Sequence, residues 1–188
     1  MDDDAGLLRR ARQGDEAAFS QLFARHQRAV YLFAAKMCGP DAGDDVVQET
    51  FLAVLRQNGT FDSARGTVAG YLLGIARHLI PKRLGERYRA CVTDNVDDTL
   101  EWVTTQDDVL EGLSRAETID AVRSAVQSLP PVYREVVVLC ELQEMDYATA
   151  ADVIRCPIGT VRSRLHRARA MLMTKLAAAG PAVGVGRE

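Results

Sequence analysis

Apolar residues recur every three or four positions along most of this 188-residue chain, which is the repeat of an α-helix. When residues are stepped at about 100° each, one apolar set in the first third falls close to a single helix face. Its members are Phe19, Leu22, Phe23, Val30, Phe33 and Met37. No segment sustains the period-two alternation of a half-buried strand. The sequence therefore predicts an all-α fold.

Capping and breaking residues set the expected helix ends in the first half. One helix should run from its capping residue Asp15 to the terminator Gly39-Pro40. A second should begin near Asp44, and a third should begin at Thr67. Because Pro81 has no backbone N–H, it should bend or end the third helix. These elements predict a small helical bundle.

A short helix, a turn and a longer helix are predicted in the last third of the chain. After Leu129-Pro130-Pro131 a helix should extend to about Leu142. Asp146 should cap a short helix from Tyr147 to Ile154, and a longer helix should follow the turn at residues 155–157. Two helices joined in this way, the second of them basic, form the helix-turn-helix arrangement that enters the major groove of DNA.

The longer helix has an apolar side and a basic side. Val161, Leu165, Ala168 and Leu172 form a narrow seam that can pack on the preceding helices. Arginine suits the other side because its planar fork can grip a phosphate or the edge of guanine with two hydrogen bonds. The helix start can offer backbone N–H groups to a phosphate. The candidate DNA-binding residues are Gly159, Thr160, Arg162, Ser163, Arg164, His166 and Arg167. A solvated basic helix is the alternative.

Charge is segregated along the chain, so the net charge of −3 does not exclude an anionic partner. Nine acids and one base lie between Asp94 and Asp120, whereas residues 155–175 hold five arginines, one lysine, one histidine and no acid. The acidic, weakly periodic middle predicts a flexible linker between two small helical domains. The expected boundaries are 1–89 for the first domain, 90–112 for the linker, 113–178 for the second domain and 179–188 for a flexible tail.

Several motifs carry a specific resemblance to one family. Region 4 of the extracytoplasmic-function (ECF) sigma factors closely resembles the run Leu129-Pro130-Pro131-Val132-Tyr133-Arg134-Glu135-Val136, Tyr147 with Ala151, and the run from Cys156 to Arg169. Region 2 of the same family is similar to the runs Gly14 to Phe19, Asp45 to Phe51 and Tyr71 to Arg77. The resemblance covers the chain from about residue 14 to 176, in the order of the family.

This resemblance implies a sigma factor that guides core RNA polymerase to promoters. In this family region 2 docks on the clamp helices of the largest polymerase subunit and melts the −10 element. Region 4 reads the −35 element and contacts the flap of the second-largest subunit. The family also implies control by an anti-sigma factor. The positions implied to dock on polymerase are Asp45, Gln48, Glu49 and Phe51.

The same resemblance implies a −10 site in two parts. The loop from Asn58 to Gly66 would capture a base flipped out of the melting strand, and a snug pocket must offset the lost stacking. The loop positions are Asn58, Phe61, Asp62, Ser63 and Arg65. The helix positions that would follow the strand are Arg77, His78, Lys82 and Arg83.

The sequence departs from the family pattern at two places. The family often has asparagine where His78 stands and aspartate where Lys82 stands, and here Pro81 lies between them. Many members have glycine where Arg155 ends the first helix of the helix-turn-helix, so that turn is expected to carry left-handed strain or to present an exposed cation.

No residue pattern indicates catalysis, a metal site or a cofactor. The cysteines Cys38, Cys91, Cys140 and Cys156 are scattered and do not cluster with the histidines. The acidic start and the lack of a long apolar run predict a cytoplasmic protein without membrane insertion. Three alternatives are a helix-turn-helix regulator that is not a sigma subunit, an enzyme, and a structural helical adaptor. The regulator would need a ligand pocket or a receiver domain in the first half.

Overall fold

The computed structural model describes residues 3–56, 61–63, 66–84 and 115–179. Every regular element in these ranges is helical, which confirms the predicted all-α class. The helices are α1 (Asp4–Arg12), α2 (Glu16–Cys38), α3 (Pro40–Arg56), α4 (Val68–Leu84), α5 (Arg115–Ser128), α6 (Pro131–Val137), α7 (Tyr147–Ile154) and α8 (Ile158–Ala179). None of them, within this described part, is long and apolar enough to cross a membrane.

The first helix, α1, was not predicted from the sequence. Asp3 caps it, since its Oδ1 accepts a hydrogen bond from the Gly6 N–H at 2.7 Å. Leu7 and Leu8 are fully buried in the core. Asp4 fastens α1 to α2 by accepting bonds from Arg25 at 2.7 Å and from His26 Nε2 at 2.8 Å. Asp3 and Asp4 therefore belong to the first helical bundle.

The structure confirms one predicted boundary between α2 and α3 and corrects the other. The Asp15 carboxylate accepts the Ala18 N–H at 3.0 Å and caps α2, and Gly39 ends this helix with φ of 91°. Pro40 then begins α3, four residues before the predicted start at Asp44. Proline is well suited to the first position of a helix because the N–H it lacks would have no partner there.

Helix α4 continues through Pro81 to Leu84, so of the two expected effects, a bend or an end of the helix, the second does not occur at this proline. Pro81 lies in the last turn, where one missing backbone hydrogen bond leaves the preceding turns intact. At the other end, the Thr67 hydroxyl accepts the Gly70 N–H at 3.0 Å and caps the first turn.

The helix-turn-helix is formed by α7 and α8 with the predicted bounds of the shorter helix. Asp146 caps α7 by accepting bonds from the Thr149 hydroxyl at 2.7 Å and the Thr149 N–H at 2.9 Å, and these bonds lower the pKa of its carboxyl group. The preceding helix was predicted to run to about Leu142, and helical structure does extend to that residue: α6 reaches Val137 and is followed directly by a π-helical turn, Val138–Leu142. This turn leads into the cap at Asp146.

The two helical halves lie against each other, and their buried apolar residues form one connected cluster. Helix α4 packs on α7, where an added Cβ on Gly70 would stand only 3.0 Å from the Thr149 methyl carbon. Gln143 Nε2 donates to the Ala29 carbonyl oxygen at 3.1 Å. The expected linker at residues 90–112 lies outside the described residues.

Candidate nucleic-acid interface

The apolar seam of α8 anchors this helix in the second half, as the sequence predicted. Val161 and Ala168 are fully buried, Leu165 is almost so, and Leu172 is half-buried against the core. Burial of these side chains fixes the rotation of α8 about its own axis, because the seam occupies one narrow stripe. The residues on the other side must then face outward.

The outward side of α8 is basic, as predicted. Arg162, Ser163 and His166 are exposed, while Arg164 and Arg167 are half-buried at its flanks. Arg169 belongs to a different environment, because its guanidinium donates to Glu141 at 2.5 Å within the same half. We call Arg162, Ser163, Arg164, His166 and Arg167 the basic face. Its guanidinium groups can contact phosphates or guanine edges.

The first turn of α8 is open to an approaching group. Gly159 is exposed, and among the described residues no atom beyond its own helix and neighbours lies within 4 Å of the position that a Cβ would take. Thr160 is half-buried beside it. A phosphate could approach the positive end of the helix at this point.

Arg155 ends α7 in the left-handed conformation, with φ of 60° and ψ of 50°. This is the strained geometry that the missing glycine led us to expect, and it is costly for a residue with a Cβ. We predict that Arg155→Gly raises the free energy of unfolding by roughly 0.5–1 kcal/mol, after the greater freedom of glycine in the unfolded chain is subtracted. Urea unfolding measures the change.

Arg155→Ala is the matched control, since it removes the same charge but keeps the left-handed cost. We expect it to give no gain in stability. Equal unfolding midpoints for the glycine and alanine variants would show that backbone strain at this position is negligible.

The predicted −10 loop is only partly within the described residues. Asn58 and Arg65 lie outside them. Phe61 is half-buried, with its ring centroid 5.5 Å from that of Tyr71, and Asp62 and Ser63 are exposed. These three residues precede α4, which is the helix predicted to follow the strand.

A residue that sequence reasoning missed supports this loop. Arg12 of α1 donates to the Tyr71 hydroxyl at 3.0 Å and to the Val54 carbonyl oxygen at 3.0 Å, and its guanidinium carbon lies 5.7 Å from the centre of the Tyr71 ring. Tyr71 in turn packs on Phe61. No local signal marks Arg12, because the contact joins residues 59 positions apart.

The predicted contact of Arg77 with DNA is not compatible with this arrangement. Arg77 Nε donates to Glu135 Oε1 at 2.5 Å across the two halves, with side-chain exposures of 17% and 1%. The guanidinium therefore has a protein carboxylate as its partner and little access to a phosphate. His78, the next residue, is exposed. Lys82 and Arg83 lie in α4, but their side chains are outside what is described.

The predicted polymerase-docking residues divide into two groups. Asp45, Gln48 and Glu49 are exposed on α3. Phe51 is only 2% exposed, and its ring centroid lies 4.8 Å from that of Phe23 and 6.1 Å from that of Phe19. The prediction that Phe51 contacts polymerase is therefore wrong, because the aromatic cluster between α2 and α3 encloses its side chain.

The thiols and acids of the described ranges give no indication of a metal centre. Within those ranges no three His, Cys, Asp or Glu side chains are grouped so that they could hold an ion. Burial raises the pKa of the Cys140 thiol to about 11 and also raises that of Cys156, so both thiols stay protonated and weakly nucleophilic at neutral pH. Cys91 lies outside the described residues.

Comparison with known proteins agrees with this architecture. Residues 22–89 match the family described as Sigma-70 region 2, and residues 119–172 match Sigma-70, region 4. The ECF RNA polymerase sigma-E factors of Salmonella typhimurium and of Escherichia coli strain K12 are each 31% identical over 182 residues, with 92% of this chain and 94% of theirs covered. The ECF sigma factor SigE of Mycolicibacterium smegmatis is 31% identical over 169 residues, which cover 87% of this chain and 65% of that protein.

Two solved structures have a similar fold. CnrH, solved in complex with the cytosolic domain of CnrY, is 29% identical with a TM-score of 0.69, and the match covers 94% of this chain and 99% of that one. The sigma factor RpoE from Bartonella quintana, solved with the anti-sigma factor NepR, is similar in fold with a TM-score of 0.62 at 23% identity, and the match covers 84% of this chain and 96% of that one.

The two matched regions define a sigma-70-type transcription initiation factor. The chain belongs to the ECF RNA polymerase sigma factor family. As a sigma factor it directs transcription from promoters.

Proposed function

We propose that this sigma factor directs core RNA polymerase to two-part promoters, reading the −35 element with the basic face of α8 and opening the −10 element with the loop before α4 and with α4 itself. The observation that carries the proposal is the exposed basic face on a helix whose opposite side is buried. A rigid helix that presents arginines outward suits entry into the major groove.

A division of the chain follows from this proposal. Residues 1–89 would bind polymerase and the −10 element, residues 113–178 would bind the −35 element, and residues 90–112 would link them. The family matches at residues 22–89 and 119–172 support the two outer ranges. A region-2 match in the first half also leaves little room for the ligand or receiver domain that a regulator other than a sigma subunit would need.

Promoter selection can be tested by reconstitution. Core RNA polymerase is incubated with sheared genomic DNA from the source organism, with and without this chain, and the 5′ ends of the transcripts are sequenced. We expect a defined set of start sites that share two upstream elements and that appear only when the chain is present. If adding the chain produces no start sites beyond those that core polymerase gives alone, the proposed function is refuted.

We propose Asp45, Gln48 and Glu49 of α3 as polymerase-docking residues, without Phe51. The minority of interface residues that carry most of the binding energy each cost more than about 1 kcal/mol when truncated, and if Gln48 or Glu49 is one of them, Gln48→Ala with Glu49→Ala should weaken binding to core polymerase roughly tenfold or more. Pull-down titration measures the affinity. Gln21→Ala with Glu16→Ala removes the same two chemical groups from exposed positions of α2 and should leave the affinity unchanged. Equal affinities for both double variants would contradict this docking surface.

We also propose that a protein partner of the anti-sigma class controls this chain. CnrH, at 29% identity, was solved with a bound cytosolic domain of another protein, and RpoE, similar in fold, was solved with an anti-sigma factor. We further propose that the chain performs no catalysis of its own and acts in the cytoplasm, where polymerase and DNA are found. Membership of a family of polymerase subunits supports both statements.

A further inference from the structure

Arg12, the last residue of α1, contacts the chain on both sides of the −10 loop. Its Nε donates to the Val54 carbonyl oxygen at 3.0 Å, and its Nη2 donates to the Tyr71 hydroxyl at 3.0 Å. Val54 lies in the last turn of α3, before the loop, and Tyr71 lies in the first turn of α4, after it. We propose that Arg12 is a positioning residue of the −10 site, which holds the described part of the loop, residues 61–63, so that the correct −10 base is preferred over the other three.

The Arg12 side chain can set the distance between α3 and α4 because both bonds come from one rigid group. A guanidinium presents its N–H groups in a fixed planar fork. The Val54 carbonyl is one of the last four in α3, which ends at Arg56, and such carbonyls have no partner within their own helix. Arg12 supplies a donor that α3 itself lacks there, and the same fork reaches the first turn of α4. The two helices are therefore held at a defined separation where they flank the loop.

Tyr71 carries this constraint from Arg12 to the loop. Its ring packs on that of Phe61, with the ring centroids 5.5 Å apart and the ring planes at 54° to each other. Contact at this distance restricts the relative orientation of two aromatic rings. Phe61 is half-buried, whereas Asp62 and Ser63, which follow it directly, are exposed. The direction in which these two exposed residues face an incoming base therefore depends on Tyr71, and the position of Tyr71 depends on Arg12.

Helix α1 is a firm support for this contact. Leu7 and Leu8 are fully buried beneath it. Close to Arg12, the Arg10 Nε donates to the Asp15 carboxylate at 2.8 Å, so the end of α1 is tied to the capping residue of α2. A binding site needs side chains held to within about 0.5 Å of their working positions, which requires support from well-packed elements. The buried leucines and the bond to Asp15 give the Arg12 side chain such a base.

A positioning role and a purely structural role of Arg12 predict different results. If Arg12 only stabilised the fold, its loss would reduce the amount of folded, polymerase-binding protein, and transcription from every promoter would fall by the same factor. If Arg12 positions the loop, its loss changes the ratio in which promoters with different −10 bases are used. This ratio does not depend on how much active protein is present, so it separates the two roles.

This inference rests on the proposed function, and a promoter library tests it. The full chain and core RNA polymerase transcribe barcoded promoters that share one −35 element and have every −10 position randomised, and the transcripts are sequenced. We expect Arg12→Gln, which lacks the guanidinium fork, to lower the preference for the best base at least about threefold at one −10 position. Tyr71→Phe keeps the ring against Phe61 and removes only the hydroxyl, so it should fold and lower the same preference. Arg9→Gln is the matched control, because Arg9 is exposed on the same helix, and it should leave all preferences unchanged.

The double variant Arg12→Gln with Tyr71→Phe tests the route through the Tyr71 hydroxyl. We expect it to lose no more base preference than Arg12→Gln alone, because both changes remove the same contact, and circular dichroism checks that each variant is folded. The positioning role is refuted if Tyr71→Phe keeps the wild-type preferences, if the two losses add, or if Arg9→Gln changes the preferences as much as Arg12→Gln. If the wild-type chain shows no base preference at any −10 position, the proposed function fails instead.

Discussion

Phe51→Ala is expected to lower the free energy of unfolding by about 3–5 kcal/mol, the usual cost of emptying a buried aromatic site. The ring is 2% exposed and contacts two other phenylalanine rings from α2, so its removal leaves a cavity between α2 and α3. A domain of this size has a total stability of about 5–15 kcal/mol, so the variant should be partly unfolded at moderate urea concentrations. Urea unfolding followed by circular dichroism measures the loss.

Leu52→Ala is the control at the neighbouring position, because Leu52 is 40% exposed and should change the stability by less than about 1 kcal/mol. Phe51→Leu keeps most of the volume and should bind core polymerase with wild-type affinity. A large loss of polymerase affinity in the folded Phe51→Leu protein would show that Phe51 takes part in polymerase docking although its side chain is buried.

Arg162→Ala and Arg167→Ala are expected to impair promoter use through the −35 element. Each should cost about 1–3 kcal/mol of binding if its guanidinium contacts a base edge, or should reduce the salt slope by about one unit if it contacts a phosphate. Binding of the polymerase complex to promoter fragments over a range of salt concentrations separates the two cases. A base contact should in addition relax sequence preference at one position of the element.

Arg169→Ala is the matched control on the same helix. It removes the same charge, but its guanidinium is bound to Glu141 and does not belong to the basic face. We expect a smaller loss of affinity and no change in sequence preference. If all three arginine variants behave alike, the helix contributes only general positive charge, and the assignment of a reading face is wrong.

The helix-turn-helix could be predicted from sequence because its signals are local. The Asp146 cap, the seam of α8 and the turn before it all lie within one continuous stretch, and they fixed α7 from Tyr147 to Ile154 as observed. Helix α1 escaped prediction because it has nine residues and only a few apolar positions, among them Leu7 and Leu8. Asp3, placed just before them as a cap, was the one available signal.

The predicted effects of two prolines on helix ends differ from what the structure shows. Pro40 was interpreted as part of a terminator, yet it is the first residue of α3. Pro81 was expected to bend or end α4, and it does not end the helix, which continues to Leu84. Pro40 costs little because the N–H it lacks would have no partner at the first helical position, whereas Pro81 gives up one backbone hydrogen bond in the last turn of α4. The sequence alone does not show how far a proline lies from the end of its helix.

Helical spacing and the family resemblance gave different predictions for the location of the Phe51 side chain. Helical spacing with Val47 and Val54 places it on the inward side of α3, whereas the family resemblance placed it in the polymerase-docking set. The structure follows the spacing, since all three residues are buried. The contact between Arg77 and Glu135 lay beyond either approach, because it joins residues 58 positions apart and depends on how the two halves pack.

The basic face of α8 is proposed to lie on promoter DNA, and photo-crosslinking from Ser163 measures that placement. Ser163 is exposed on this face, so a benzoylphenylalanine there should crosslink to promoter DNA about 35 base pairs upstream of the start site when core polymerase is present. The same group at exposed Gln127 on α5 is the control and should not crosslink to that element. Crosslinks from position 163 to polymerase alone, or to DNA at no fixed position, would contradict the account.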